Sequence, residues 1–431
     1  MVFLVVAFAL LPFGFPVSAS AQSGQGLLRG AAGHVVIPLS NNHTAADAGV
    51  RAHTNYRIFV PDAQITPDEL PPYAGYLYET PASLACIYGL VTPVPGCNPN
   101  DTVTNPSGGS NTIAIVDAYD YPAAASDLGV FSAQFGLPTA NFSIVYARGH
   151  EPPVDPTGGW EGEEALDIEQ AHAMAPNAKI YLVEADSDLD TDLFHAVRVA
   201  TNLVICGERI CPRGGHGQGE ITMSWGGDEF NTEGSYDYLF NNAGVVYFAV
   251  AGDEPGVEYP CVSPHVVCVG GTSTARSLST GDFLYQVAWM DGGGGPSAYE
   301  PRPFYQNPIS FLVGPARGVP DISFDANPYA GVWTYVSVPY EYAPGEYLPG
   351  GWQISGGTSV GSPSIAGIVN AAGHFYSRSA TELDAIYSNR NNPSDFTDIQ
   401  KGYCGPYLGF VATIGWDFCT GVGTPFGYGG K

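Results

Sequence analysis

Residues 163–184 read EEALDIEQAHAMAPNAKIYLVE, and the fold turns on how this stretch divides. Glu163 to Ala175 has helical character and stops before Pro176, because proline lacks an N–H and restricts the residue ahead of it. Lys179–Glu184 then forms a short β-rich run. Outward in both directions the same alternation repeats. Strand-like runs at Thr112–Asp117, Glu220–Ser224, Val245–Val250 and His265–Val269 alternate with helix-like segments at Ala123–Phe135, Asp190–Thr201 and Tyr236–Ala243. Such alternation predicts an α/β fold with a parallel sheet covered on both faces and right-handed crossovers. The Gly/Pro-rich region from Gly292 to Gly350 reads as long surface loops. Residues 22–74 read as a short N-terminal segment, either an arm packed on the domain or a weakly ordered leader.

Composition narrows the function classes. The 431 residues suit one large domain with extras, and 45% hydrophobic residues allow a substantial core. Acidic residues outnumber basic ones by 42 to 15, a net charge of −27 at pH 7. That surface repels nucleic acid and offers no basic phosphate-binding face. The acidic surplus fits solubility or a salty habitat, and it equally fits work in acid, where carboxylates protonate. Residues 1–21 resemble an export signal, with an apolar run from Phe3 to Phe15 and Ala19-Ser20-Ala21 ahead of Gln22, although no Lys or Arg precedes the run. The run is too short and too broken by Pro and Gly to span a bilayer. Eight cysteines fall into four local couples, Cys86/Cys97, Cys206/Cys211, Cys261/Cys268 and Cys404/Cys419. Without CxxC or Cys/His clusters these read as disulfides, so the chain is expected to be secreted into an oxidising compartment.

Two stretches carry candidate chemistry. Ser355-Gly356-Gly357-Thr358-Ser359-Val360-Gly361-Ser362-Pro363 places glycines before a serine that opens an apolar helix. Free N–H groups at a helix start favour developing negative charge, so Ser359 is a candidate nucleophile. The bland alternative is a Gly/Ser loop capping a core helix. A serine needs a base, and no histidine stands in a recognisable catalytic context. Glu163 and Asp167 are four apart and share one helix face. Buried together they would share a proton and act as an acid/base couple; exposed, they would be an ordinary acidic helix start.

Together these segments resemble the sedolisin family of serine-carboxyl peptidases, in its kumamolisin-like form, over about residues 75–428. Gly357 to Pro363 matches the Gly-Thr-Ser-x-x-x-Pro nucleophile motif, and Glu163 to Pro176 the Glu-x-x-x-Asp pair with its Ile-Glu and Ala-Pro. Ala251-Gly252-Asp253 stands where the family has Ser-Gly-Asp. Ser224-Trp225-Gly226-Gly227, Gly292–Gly295 before Pro301-Arg302-Pro303, and Val319-Pro320-Asp321 add support. The resemblance implies a subtilisin-like, predominantly parallel seven-stranded sheet flanked by helices. It implies four catalytic residues: Ser359 as nucleophile, Glu163 and Asp167 as relay, and a protonated Asp253 as oxyanion donor. It also implies one structural Ca2+ held by the Asp398 and Asp417 carboxylates with the carbonyls of Ile399, Thr413 and Gly415, an oxygen-only set suited to a hard cation. A full inhibitory pro-domain is implied as well, and residues 22–74 are too few for one; the peptidase domain is then 75–431.

The expectation is thus a secreted, acid-acting serine peptidase, an endopeptidase unless one end of its cleft is closed, working as a monomer on protein or peptide substrates, with no nucleic acid and no membrane as partner. Three rivals stand beside it. A histidine-dependent subtilisin-type protease would use Asp117, read here as a strand-end residue. A glycosidase would use Glu163 and Asp167, though such pairs flank a sugar from separate elements more often than from one helix. A catalytically silent secreted binding protein could keep the scaffold without the chemistry.

Overall fold

The structure, a computed structural model, describes residues 32–62, 70–73, 76–208, 215–405 and 409–431. The export signal expected at 1–21 and Cys211, half of the Cys206/Cys211 couple, lie outside the described residues. The central sheet contains, in chain order, β1 (Thr112–Ala118), β2 (Asn141–Tyr146), β3 (Lys179–Ala185), β4 (Gly219–Met223), β5 (Val245–Val250), β6 (Val267–Arg276), β7 (Phe283–Ala288) and β8 (Ile322–Asp325). Seven of these run parallel in the order β2-β3-β1-β4-β5-β6-β8, and β7 pairs antiparallel with the far end of β6. The parallel seven-stranded sheet implied by the family resemblance is present, with one antiparallel strand added.

Helices cover both faces because side chains alternate across each strand. Ile113 and Ile115 of β1 and Ile180 and Leu182 of β3 point to the face covered by α1 (Ala124–Phe135) and α2 (Gly159–Met174). Ala114, Val116, Tyr181 and Val183 point to the other face, under α3 (Asp190–Cys206). A further helix, α4 (Gly361–Ala371), lies on the α2 side against Val246, Phe248, Val267 and Val269. Every residue of α2 is buried, including five acids, so this helix is enclosed on all sides rather than amphipathic.

The structure corrects several sequence expectations. Tyr236–Ala243 is not an α-helix: the chain makes short 3-10 turns at Glu233–Ser235 and Asp237–Phe240. β2 was not expected; it sits at the sheet edge, half-exposed along most of its length, which blurs the alternation that marks a strand. The Gly292–Gly350 region is not surface loop alone. It contains β8, a strand at Val332–Val336, and the fully buried Arg317–Asp321 ion pair, with N–O distances of 2.6 and 2.7 Å. Asp321 also accepts from the Cys268 N–H and the Tyr387 hydroxyl, so the Val319-Pro320-Asp321 run tethers β6.

Residues 32–62 are packed on the domain. Gly33–Val36, Arg57–Pro61, Gly351–Gly356 and Val332–Val336 form an antiparallel sheet in that order, and His53–Thr54 pairs with Trp225–Asp228. Disulfides join Cys86 to Cys97, Cys261 to Cys268 and Cys404 to Cys419. Among the described residues no helix is long and apolar enough to cross a membrane.

Candidate active site

The carboxyl ends of parallel strands are where open α/β sheets hold their sites, and the candidate residues gather there. β1 ends with Asp117-Ala118, β4 leads into Ser224, and β5 leads into Ala251-Gly252-Asp253. Ser359 lies on the 3-10 turn Thr358–Val360 that opens α4. Gly357, just before it, has φ +105°, a conformation that glycine alone adopts freely. A Cβ there would sit 2.3 Å from the Asn55 carbonyl oxygen and 2.5 Å from Asp253 Oδ2.

Ser359, Glu163, Asp167 and Asp117 are fully buried, and Asp253 nearly so. The hydroxyl of Ser359 makes a long hydrogen bond to the Ser224 carbonyl, 3.3 Å, and lies near enough to the Glu163 carboxyl to lower its proton affinity. Glu163 Oε2 accepts the Asn55 N–H at 3.1 Å, while Oε1 has no hydrogen-bond partner. Asp167 Oδ1 accepts from the Ser224 hydroxyl at 2.7 Å and Oδ2 has no partner. Asp253 Oδ1 takes both the N–H (2.7 Å) and the hydroxyl (2.9 Å) of Thr358. Its Oδ2 has only Arg57 Nε at 3.9 Å, which leaves that oxygen available to carry a proton.

Burial governs the electrostatics. It drives Glu163 and Asp167 well above the usual carboxylate range, the neighbouring Asp117 charge raises both further, and donated hydrogen bonds partly offset the rise. Asp253 is pushed up to about 7 by burial, against the pull of Arg57 and the Thr358 donors. Asp117 is pushed up to about 8 by burial, and both its oxygens lack partners. An acid cluster this dry holds protons at pH values where free carboxylates have lost them.

Two residues of the cluster had no role in the sequence reading. Asp117, taken there as a strand-end residue, stands close enough to Glu163 and Asp167 to be the largest charge acting on each. Its place at the end of a parallel strand was the available signal. Ser224 joins Asp167 to Ser359 through its hydroxyl and its carbonyl. Among the described residues no histidine hydrogen-bonds Ser359.

The expected calcium ligands lie together in one loop. Asp398 accepts the Gly415 N–H at 3.1 Å, and Asp417 accepts the N–H groups of Thr413, Cys419 and Thr420, each at 2.9 Å. The described residues contain no cluster of three or more His, Cys, Asp or Glu side chains that could hold a metal. Asp398 and Asp417 would offer carboxylate oxygens, and a set of oxygen donors alone would suit Ca2+ rather than a transition metal.

No family profile matches the chain. Kumamolisin of Bacillus sp. (strain MN-32) is 28% identical over 358 residues, 74% of this chain and 59% of that protein. Sedolisin of Pseudomonas sp. (strain 101) is 26% identical over 364 residues, 75% of this chain and 58% of that protein. The chain thus spans under three fifths of the length of these curated relatives. A solved structure of Pseudomonas sedolisin, described as a serine-carboxyl proteinase complexed with two molecules of pseudo-iodotyrostatin, superposes with a TM-score of 0.63 at 24% identity, covering 81% of this chain and 95% of that one. Shared sequence over three quarters of the chain, on the subtilisin-like sheet described above, supports a sedolisin-family, kumamolisin-like assignment.

Proposed function

We propose that this protein is a secreted serine-carboxyl peptidase that hydrolyses peptide bonds in acid. The observation that carries this reading is the dry convergence of the Ser359 hydroxyl with the Glu163/Asp167 pair, without a histidine. The coupled pair shares a proton, and in the reactive form Glu163 is the ionised member, taking the proton as Ser359 Oγ attacks the scissile carbonyl carbon. Asp167, fixed by the Ser224 hydroxyl, orients Glu163 and shares its proton, and Asp117 tunes the pair through its charge. Glu163 then protonates the leaving amine, and water hydrolyses the ester on Ser359 through the same relay. Asp253, neutral below about 7, donates from Oδ2 to the oxyanion beside the Ser359 N–H. The donor works only when protonated, so the site is an acid-range catalyst by construction.

Secretion is supported by the export-like residues 1–21 and by the disulfides. Ca2+ held by Asp398 and Asp417 with the carbonyls of Ile399, Thr413 and Gly415 would brace the C-terminal loop that Cys404–Cys419 also clips. Protein or peptide substrates, monomeric action and endopeptidase activity complete the reading. A serine-directed phosphonofluoridate, applied at about pH 4, near the carboxylate reference value, should label Ser359, as mapped by peptide mass spectrometry. Peptide hydrolysis that continues with Ser359 unlabelled, or in Ser359→Ala, would contradict the assignment.

A further inference from the structure

A second group of acids lies behind the Glu163/Asp167 pair. Asp117 and Glu184 are register partners on the adjacent parallel strands β1 and β3. Paired residues point to one face of a sheet. Asp117 continues the series of Ile113 and Ile115, and Glu184 that of Ile180 and Leu182, so both carboxyls lie on the face that α2 covers. α2 brings Glu164 to them. Glu164 follows Glu163 directly and precedes Asp167 by three, which sets it beside Asp167 on the helix surface. It is fully buried, and neither of its carboxyl oxygens has a hydrogen-bond partner. Glu184 and Asp117 are the two charges that act on it most strongly.

The groups facing Glu164 are acids from each element packed there. Glu161 lies one turn back on α2, and Asp120 follows the end of β1. Tyr121 also stands nearby, with its hydroxyl given to Asp127 and its N–H to Glu184 Oε1 at 3.3 Å. Glu184 Oε2, Asp120 Oδ1, Asp167 Oδ2 and both oxygens of Asp117 lack partners as well. Among the described residues no salt bridge reaches Asp117, Asp120, Glu161, Glu163, Glu164, Asp167 or Glu184. A dry carboxyl with no cation beside it keeps its proton, and a protonated carboxyl is a hydrogen-bond donor. Protons on Glu164 and Glu184 therefore answer the orphaned oxygens of Asp117. The consequence reaches Glu163. A base that works in acid must ionise easily, and burial opposes that ionisation. Donors to the shared charge favour it.

We propose that Glu164 is a positioning residue of the relay: protonated beside Glu184, it donates to Asp117, spreads the one negative charge of the Glu163, Asp167 and Asp117 group, and so lets Glu163 stay ionised in acid. This inference rests on the peptidase reading above. Glu164 neither touches the substrate nor passes it a proton. It acts by holding Asp117, so its effect falls on the acid limb of the pH–rate profile, while Asp253 governs the alkaline one.

The test compares the full wild-type chain with Glu164→Gln, which keeps a neutral donor, and Glu164→Met, which keeps the volume without one. Glu382→Gln is the control, since Glu382 is another fully buried acid with unpartnered oxygens, on the separate helix Ser379–Asn389. In kcat/KM against pH, the acid limb of Glu164→Met should move up by about one pH unit, the size of one hydrogen bond to a charged group. The limbs of Glu164→Gln and of the control should stay with the wild type. An infrared difference spectrum, wild type against Glu164→Gln at about pH 7, where free carboxyls are ionised, should show the C=O band of a protonated carboxyl. A carboxylate band in its place would overturn the inference whether or not Glu164→Met folds. An acid limb that Glu164→Met leaves unmoved, or that Glu164→Gln moves equally, would also overturn it, and would leave the peptidase reading standing in a wild type that hydrolyses peptides. A wild type that cuts no peptide removes the peptidase reading first and this inference with it.

Discussion

In the proposed mechanism, the environment of Asp253 sets the working pH. Burial lifts its carboxyl to about 7 while Thr358 engages only Oδ1, so below about 7 the free oxygen carries a proton and above it the donor is lost. kcat/KM should therefore fall as pH rises through that value. Asp253→Asn keeps a donor that does not titrate; it should lower the rate yet remove this limb, as a pH–rate profile of the variant would reveal. A limb unchanged in Asp253→Asn would assign it to another group. Ser359, Glu163 and Asp167 could be picked out as candidates because each sits in a short motif whose spacing has a chemical reason, whereas Asp253 was implied by the family resemblance alone. Asp117 and Ser224 could not be given roles that way: their contact with the relay arises when separate strands end side by side, and no spacing along the chain encodes that meeting. Asn55 was still less legible, as it reaches Glu163, Asp253 and Glu258 from 108 to 203 residues away.

The turn from Gly356 to α4 depends on close approach. A Cβ at Gly357 would strike the Asn55 carbonyl and Asp253 Oδ2, and the φ of +105° is strained for any other residue. Gly357→Ala should cut kcat by at least about tenfold, since small displacements of a positioned group are costly, with far-ultraviolet circular dichroism unchanged; full activity would show that the turn tolerates a shift. The strands β1, β3, β4 and β5 were legible because buried parallel strands read as continuous apolar runs between helical segments. β2 is an exposed edge, and β8 lies among Gly- and Pro-rich connections, so neither carried that signal. The Tyr236–Ala243 pattern was apolar enough for a helix, yet tertiary packing of Leu239 and Phe240 into the α3 side of the core produced 3-10 turns instead.

Buried carboxylates also link folding to pH. Asp253 at about 7, Asp117 at about 8 and Glu382 at about 8 all stand above their ordinary values near 4. Between those limits the folded state binds more protons than the unfolded chain, so stability is fully present in acid and declines as pH rises through the folded values. The melting temperature should be higher at about pH 4 than at about pH 8, read by scanning calorimetry; the reverse order would mean that the acids of α2 and its neighbours are compensated by cations not evident in the fold. Chelation at constant pH should lower the melting temperature if Ca2+ is bound, and Asp417→Asn should abolish that response. An indifferent wild type would remove the metal from the account.

All of the proposed chemistry rests on Glu163 acting as the base for Ser359, and kcat/KM measured against pH for the wild type and Glu163→Gln addresses it directly. The wild type should peak in acid, and the variant should fall by at least about a hundredfold at that optimum. An optimum at neutral or alkaline pH, or a Glu163→Gln enzyme that keeps most of its activity, would contradict the proposal.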